Sequence, residues 1–208
     1  KYLEKYEKII EKKIHPNNEI GIINGLWANS LGMGGIIPIQ SLFFPSSTFL
    51  DLKLTGLQGD VMKESMSVAK TLAWNLTNDE IKKKWLSYFE STKCQGLHIH
   101  CPEGSISKDG PSAGAAITTA IYSLLNNKKI KNDIAITGEI SLNGEIMPIG
   151  GLETKITGGI KAGIKTFLYP DSNHKDFQDW KKLNQEENNI HFIEINNIKE
   201  IFNHVFIS

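Results

Sequence analysis

Apolar residues recur along this chain with two periods, and the alternation between them predicts the elements. Over 1–18 the run KYLEKYEKIIEKKI sets apolar residues at helical spacing among charges until His15-Pro16-Asn17-Asn18 breaks it, which predicts a linker or docking helix. Over 19–54 short apolar runs at 20–23, 35–39 and 48–54 are separated by Gly, Asn, Ser and Pro, the punctuation of antiparallel strands in a small sheet. Met62, Met66, Ala69, Ala73 and Leu76 then step by three and four, predicting an amphipathic helix over 61–76, with a more charged helix over 79–89. GLHIHC at 96–101 alternates, so Leu97 and Ile99 share one strand face and His98 and His100 the other. A loop rich in Gly, Ser, Asp and Pro leads to an apolar helix over 112–125, a buried strand over 133–137, and a hairpin over 140–149 marked by Asn143-Gly144. Gly150-Gly151 opens a helix that Gly163 closes, and a strand at 165–169, a polar helix, a strand at 190–195 and a short helix follow. Mixed strands and helices in this order predict an α/β (α+β) class.

Composition refines that picture without redirecting it. The 208 residues, 40% of them hydrophobic, suffice for one domain plus a terminal extension. Lys+Arg and Asp+Glu both number 23, so no net field favours nucleic acid or an acidic lipid surface. Two cysteines, Cys94 and Cys101, are too few for a disulfide framework and fit an intracellular setting. No apolar stretch approaches the roughly 20 residues of a membrane span. The chain starts at Lys1 with no Met or signal pattern, so a longer parent protein is expected.

The candidate chemistry starts at Asp109-Gly110-Pro111-Ser112-Ala113-Gly114, which puts a serine in the first turn of a helix. The first N–H groups of a helix lack internal partners and carry partial positive charge, so they can serve as oxyanion donors beside Ser112. Pro111 suits a helix start, and Ala113 and Gly114 are expected to keep the approach to Ser112 open. The plainer alternative is that Asp109 and Ser112 cap the helix. A nucleophilic serine needs a proton acceptor, and no histidine occurs between His100 and His174. Lys155, at the start of the next glycine-opened helix and among Ile149, Leu152 and Ile156, is placed where burial and the helix end lower its pKa toward about 8. A solvated surface lysine is the ordinary alternative.

The segments PEGSISKDGPSAG (102–114), TGEISLNGEIMPIGGLETK (137–155) and GIKTFLYP (163–170) closely resemble the proteolytic domain of the ATP-dependent Lon protease. GDVMKES (59–65) and HIHCPEG (98–104) extend the likeness across 19–208, leaving 1–18 as a linker from an upstream module. The resemblance implies a fold related to ribosomal protein S5 domain 2, assembled as a homo-hexameric ring. It implies Ser112 as nucleophile and Lys155 as its partner, in a serine endopeptidase acting on unfolded or damaged proteins. It further implies that Thr137 hydrogen-bonds the lysine, that Asp109 modulates the site from a two-state loop, and that Gly110 and Ala113 support the serine. His100 is either near the site or a satisfied strand histidine. ATP and Mg belong to an AAA+ module outside these residues, so this chain is expected to hold no cofactor or metal, and to contact neither membrane nor nucleic acid. A mitochondrial matrix setting is favoured, with a bacterial cytoplasm or another organelle as alternatives. Ser107 replaces the usual Pro, and Glu153-Thr154 replace a common Lys-Glu. A non-catalytic Lon-like ring scaffold is the alternative function, against which the retention of Ser112 and Lys155 speaks.

Three rival motifs are weaker. Cys94, His98, His100 and Cys101 gather zinc-type ligands, but Cys101 alternates away from His100. Ser105-Ile-Ser-Lys108 matches S-x-x-K without the helix that motif needs, and GGIKAGIKT (158–166) misses a phosphate loop because Ile164 follows Gly163. If the Lon resemblance holds, Ser112 and Lys155 stand within hydrogen-bond reach unless the loop at Asp109 is in an inactive arrangement.

Overall fold

The computed structural model describes residues 13–56, 59–102, 110–184 and 189–207. The helix expected over the first residues, Asp109, and the Ser105 and Ser107 positions lie outside them. The described chain runs β1 (Glu19–Ile20), β2 (Ile22–Ala28), β3 (Gly34–Phe44), β4 (Leu52–Thr55), α1 (Asp60–Leu76), α2 (Asp79–Thr92) and β5 (Gly96–His100). A 3-10 turn (Pro111–Ala113) leads into α3 (Gly114–Asn126), followed by β6 (Lys129–Ile130), β7 (Ile134–Ile136), β8 (Glu139–Ile140) and β9 (Ile146–Met147). Then come α4 (Leu152–Ala162), β10 (Thr166–Pro170), a second 3-10 turn (Asp171–Asn173), α5 (His174–Leu183), β11 (His191–Ile195) and α6 (Ile198–Val205).

The α/β expectation holds, but the small antiparallel sheet over 19–54 does not. β2 and β3 do pair antiparallel, yet they sit inside a seven-stranded mixed sheet of order β11-β10-β7-β2-β3-β5-β4. β2 pairs parallel with β7, and β7 with β10, so strands far apart in sequence are neighbours. Of the run at 48–54 only its end is strand, and β4 lies parallel to β5 at the edge. The sheet has a core on each face, and the strands feed both by alternation. In β7, Ile134 and Ile136 point into the core with α1, α3 and α6, whereas Ala135 points into the core with α4 and α5. β10 does the same with Leu168 against Phe167 and Tyr169. That two-sided burial explains why DIAIT reads as a continuous apolar run.

Glycines set how closely α4 approaches the sheet. A Cβ on Gly158 would lie 2.1 Å from the carbonyl carbon of Gly34, and one on Gly34 would lie 2.4 Å from the Thr154 carbonyl oxygen. α4 therefore meets β3 backbone to backbone. Its far end closes as anticipated: Gly163, at φ +104°, donates to Ile160 while Ile164 donates to Gly159, both at 3.0 Å. This capping accounts for the near-match to a phosphate loop.

Candidate active site

Ser112 occupies the middle of the 3-10 turn that precedes α3. Its carbonyl accepts the Gly138 amide at 2.8 Å, and the Gly138 carbonyl accepts the Ala115 amide at 3.0 Å. These reciprocal bonds fasten the serine turn to the chain leaving β7. Gly114 answers a packing need that the sequence did not report. A Cβ there would come 2.7 Å from the Ile140 side chain and 3.1 Å from the Ile140 nitrogen, so glycine is needed because α3 starts hard against β8. The helix-start donors are also fewer than expected: Gly114 donates to Pro111 and Ala115 to Gly138.

Lys155 lies in the first turns of α4, its amide bonded to the Gly151 carbonyl at 3.0 Å, and it is only 4% exposed. Gly151, in left-handed geometry at φ +69°, turns the chain into the helix. Burial lowers the Lys155 pKa from 10.5 to about 8, because the charged amine is disfavoured away from water. Nζ donates to the Thr137 hydroxyl at 3.3 Å, and that hydroxyl reaches the Ser112 carbonyl at 3.4 Å. Thr137 is fully buried, and its amide is held by Leu168 at 3.1 Å.

Ser112 and Lys155 line one broad cleft of about 1180 Å³, with Gly110, Ala113, Trp27 and Ile149 also on its walls. No hydrogen bond joins the Ser112 hydroxyl to Nζ among the described residues; the amine is turned to Thr137 instead. His100 is not among the residues lining this cleft. Its Nδ1 sits 2.7 Å from the Thr55 hydroxyl, which also meets His98 Nε2 at 2.9 Å, so the two imidazoles share a strand face as the alternation predicted. Burial, Lys53 and His100 together hold His98 below its usual pKa. Cys101 is fully buried on the opposite side, in the apolar core. No cluster of three or more metal-type ligands occurs among the described residues.

Sequence reasoning missed Asn173. It is 4% exposed, and its amide pairs with both backbone groups of Ile149, on the cleft wall ahead of α4. An asparagine behind Pro170-Asp171-Ser172 reads as a helix cap, and nothing local points to a partner 24 residues away.

The molecule is thus an α/β domain, a mixed sheet covered on both faces, in which a helix-start serine and a buried amine of lowered pKa line one cleft. The chain belongs to the Lon protease (S16) C-terminal proteolytic domain family, whose model matches residues 1–208. It is 46% identical to a Lon protease homolog of Acanthamoeba polyphaga mimivirus over 89% of this chain and 18% of that protein. Identity is 41% to a Lon protease of Fusobacterium nucleatum, over 92% of this chain and 24% of that one. To the mitochondrial Lon protease homolog 3 of Arabidopsis thaliana it is 36%, over 88% and 19%. The chain thus spans about a quarter or less of the length of these relatives. No helix among the described residues is long and apolar enough to cross a membrane.

Proposed function

We propose that this proteolytic domain hydrolyses peptide bonds through a dyad of Ser112 and Lys155. Neutral Lys155 takes the hydroxyl proton as Ser112 Oγ bonds to the scissile carbonyl carbon, and the resulting ammonium returns it to the departing amine. Water then releases the acyl group by the same route in reverse order of proton transfer. With the Gly114 and Ala115 amides already bonded and the Ala113 amide closing the 3-10 turn, the oxyanion falls to the Ser112 amide. Thr137 holds the amine, Asp109 acts from the preceding loop, and Gly110 and Ala113 shape the serine turn. The observation that carries this reading is the buried Lys155 amine, its pKa near 8, tied through Thr137 to the backbone of Ser112.

In the whole protein, an upstream AAA+ module using ATP and Mg feeds unfolded or damaged proteins to a homo-hexamer of such domains. A mitochondrial matrix is the favoured setting for that task, with a bacterial cytoplasm or another organelle as alternatives. A fluorophosphonate is the direct test: it is expected to label Ser112, to fail on Ser112→Ala, and to react far more slowly with Lys155→Ala. Absence of any adduct on the folded hexamer leaves the ring scaffold as the function.

A further inference from the structure

Asn173 ends a 3-10 turn and stands at the N-cap of α5, where an asparagine ordinarily bonds the amides of its own helix. Its side chain caps nothing in α5. Oδ1 accepts the Ile149 amide at 2.9 Å, and Nδ2 donates to the Ile149 carbonyl at 2.8 Å. The other Nδ2 hydrogen goes to Asp176 at 2.7 Å, so both donors are engaged and the rotamer is fixed. Ile149 lies two residues ahead of Gly151, whose carbonyl starts the hydrogen bonding of α4 at Lys155. Further along α5, Trp180 Nε1 donates to the Thr157 hydroxyl on α4 at 3.1 Å. Helix α5 therefore braces α4 at two points, one of them the loop leading into it.

We propose that Asn173 is a positioning residue for Lys155: its paired bonds to Ile149 hold the loop ahead of α4 and so fix where the amine stands between Thr137 and the cleft. The proposal rests on the reading of Lys155 as the base. Pro148, Ile149 and Gly150 line the cleft, so releasing Ile149 lets water reach the amine. β2 and β3, packed beneath α4, carry no ionisable side chain; α5 contributes His174, Lys175, Asp176, Asp179, Lys181 and Lys182, and α4 itself Glu153 and Lys161. None of these is the cause of the lowered Lys155 pKa, which is burial alone. Loss of the brace consequently moves that pKa back toward 10.5.

The test uses Asn173→Ala and the isosteric Asn173→Asp in the full-length protein. Asp keeps the acceptor for the Ile149 amide but loses the donor to its carbonyl and faces Asp176. Lys155 titration is read as the pH dependence of its labelling by an amine-acylating reagent, located by mass spectrometry, alongside kcat and KM for a fluorogenic peptide. For Asn173→Ala the labelling midpoint is expected to rise by about one unit and kcat at neutral pH to fall about tenfold, with KM changed less than about threefold. Asn173→Asp is expected to fall between it and the parent. A folded variant, by thermal melting, that keeps the parent's midpoint overturns the proposal, even if its activity drops with its stability. Should Ala prevent folding, Asp carries the decision. Labelling is readable whether or not Lys155 is catalytic, so full hydrolysis by Lys155→Ala would sink the dyad while leaving the placement by Asn173 to its own midpoint.

Discussion

Lys155 is almost completely buried, has no carboxylate partner among the described residues, and keeps its amine on a neutral hydroxyl. Its folded-state pKa, about 8, lies below the ordinary 10.5, so the fold disfavours the proton. Below pH 8 both folded and unfolded chains carry it, and the full penalty, about 3 kcal/mol, weighs on the folded state. Between 8 and 10.5 the folded amine is neutral while the unfolded one is still charged, so stability rises with pH and the penalty fades. Lys155→Met is therefore expected to raise the thermal midpoint at pH 7 and to lose that advantage as the pH approaches 10.5, in melts taken across this range. The same substitution is expected to abolish peptide hydrolysis. Reading the residues alone placed Ser112 and Lys155 at helix starts and anticipated the direction of the Lys155 shift, but only the motif likeness paired them. Asn173 and the role of Gly114 escaped because each depends on a contact with a distant segment, Ile149 and Ile140, that no local pattern reports.

Elements with a strong period or a punctuating glycine were legible. The helix expected over 61–76 is α1 within one residue, and the helix after Gly150-Gly151 ends at Gly163 as read. Strand partners were not legible, because apolar alternation says which face is buried and nothing about which strand lies alongside. β2 meets β7 through Asn24 and Ala135, more than a hundred residues apart, and this pairing merges the presumed small sheet into the large one. The hairpin at Asn143-Gly144 is real but short: β8 and β9 pair over two residues each around a five-residue connection, with Gly144 at φ +88°. Close approach of α4 to β3 yields a prediction at this scale. Alanine at 158 improves helix propensity by about 1 kcal/mol, yet its Cβ would overlap the Gly34 backbone at 2.1 Å. Gly158→Ala is expected to destabilise by about 3 kcal/mol or more in urea unfolding.

For the molecule as a whole, the site lies where the two cores meet the same stretch of sheet. The serine turn belongs with α3 on one face and the amine with α4 on the other, and Thr137, one residue beyond β7, touches both. Access to this site is through an open cleft, and the proposed function leaves the unfolding of a substrate to other parts of the full protein. The isolated chain is accordingly expected to cleave short fluorogenic peptides slowly and to leave a stably folded protein intact over the same hours, as followed by gel electrophoresis. Digestion of the folded protein by this chain alone would contradict that division of labour.

The backbone contact between Gly34 and Gly158 leaves α4 no room to slide toward the sheet, and the Gly138 bonds hold the serine turn equally firmly. The freedom that remains to the two groups lies in torsion angles of the serine side chain and of the four-carbon stem of the lysine. For an exposed side chain such rotations take picoseconds to nanoseconds, and the burial of Lys155 slows its own. If Ser112 and Lys155 form the proposed dyad, bringing the hydroxyl to the amine therefore asks for side-chain rotation and not for a shift of α4 or of the serine turn.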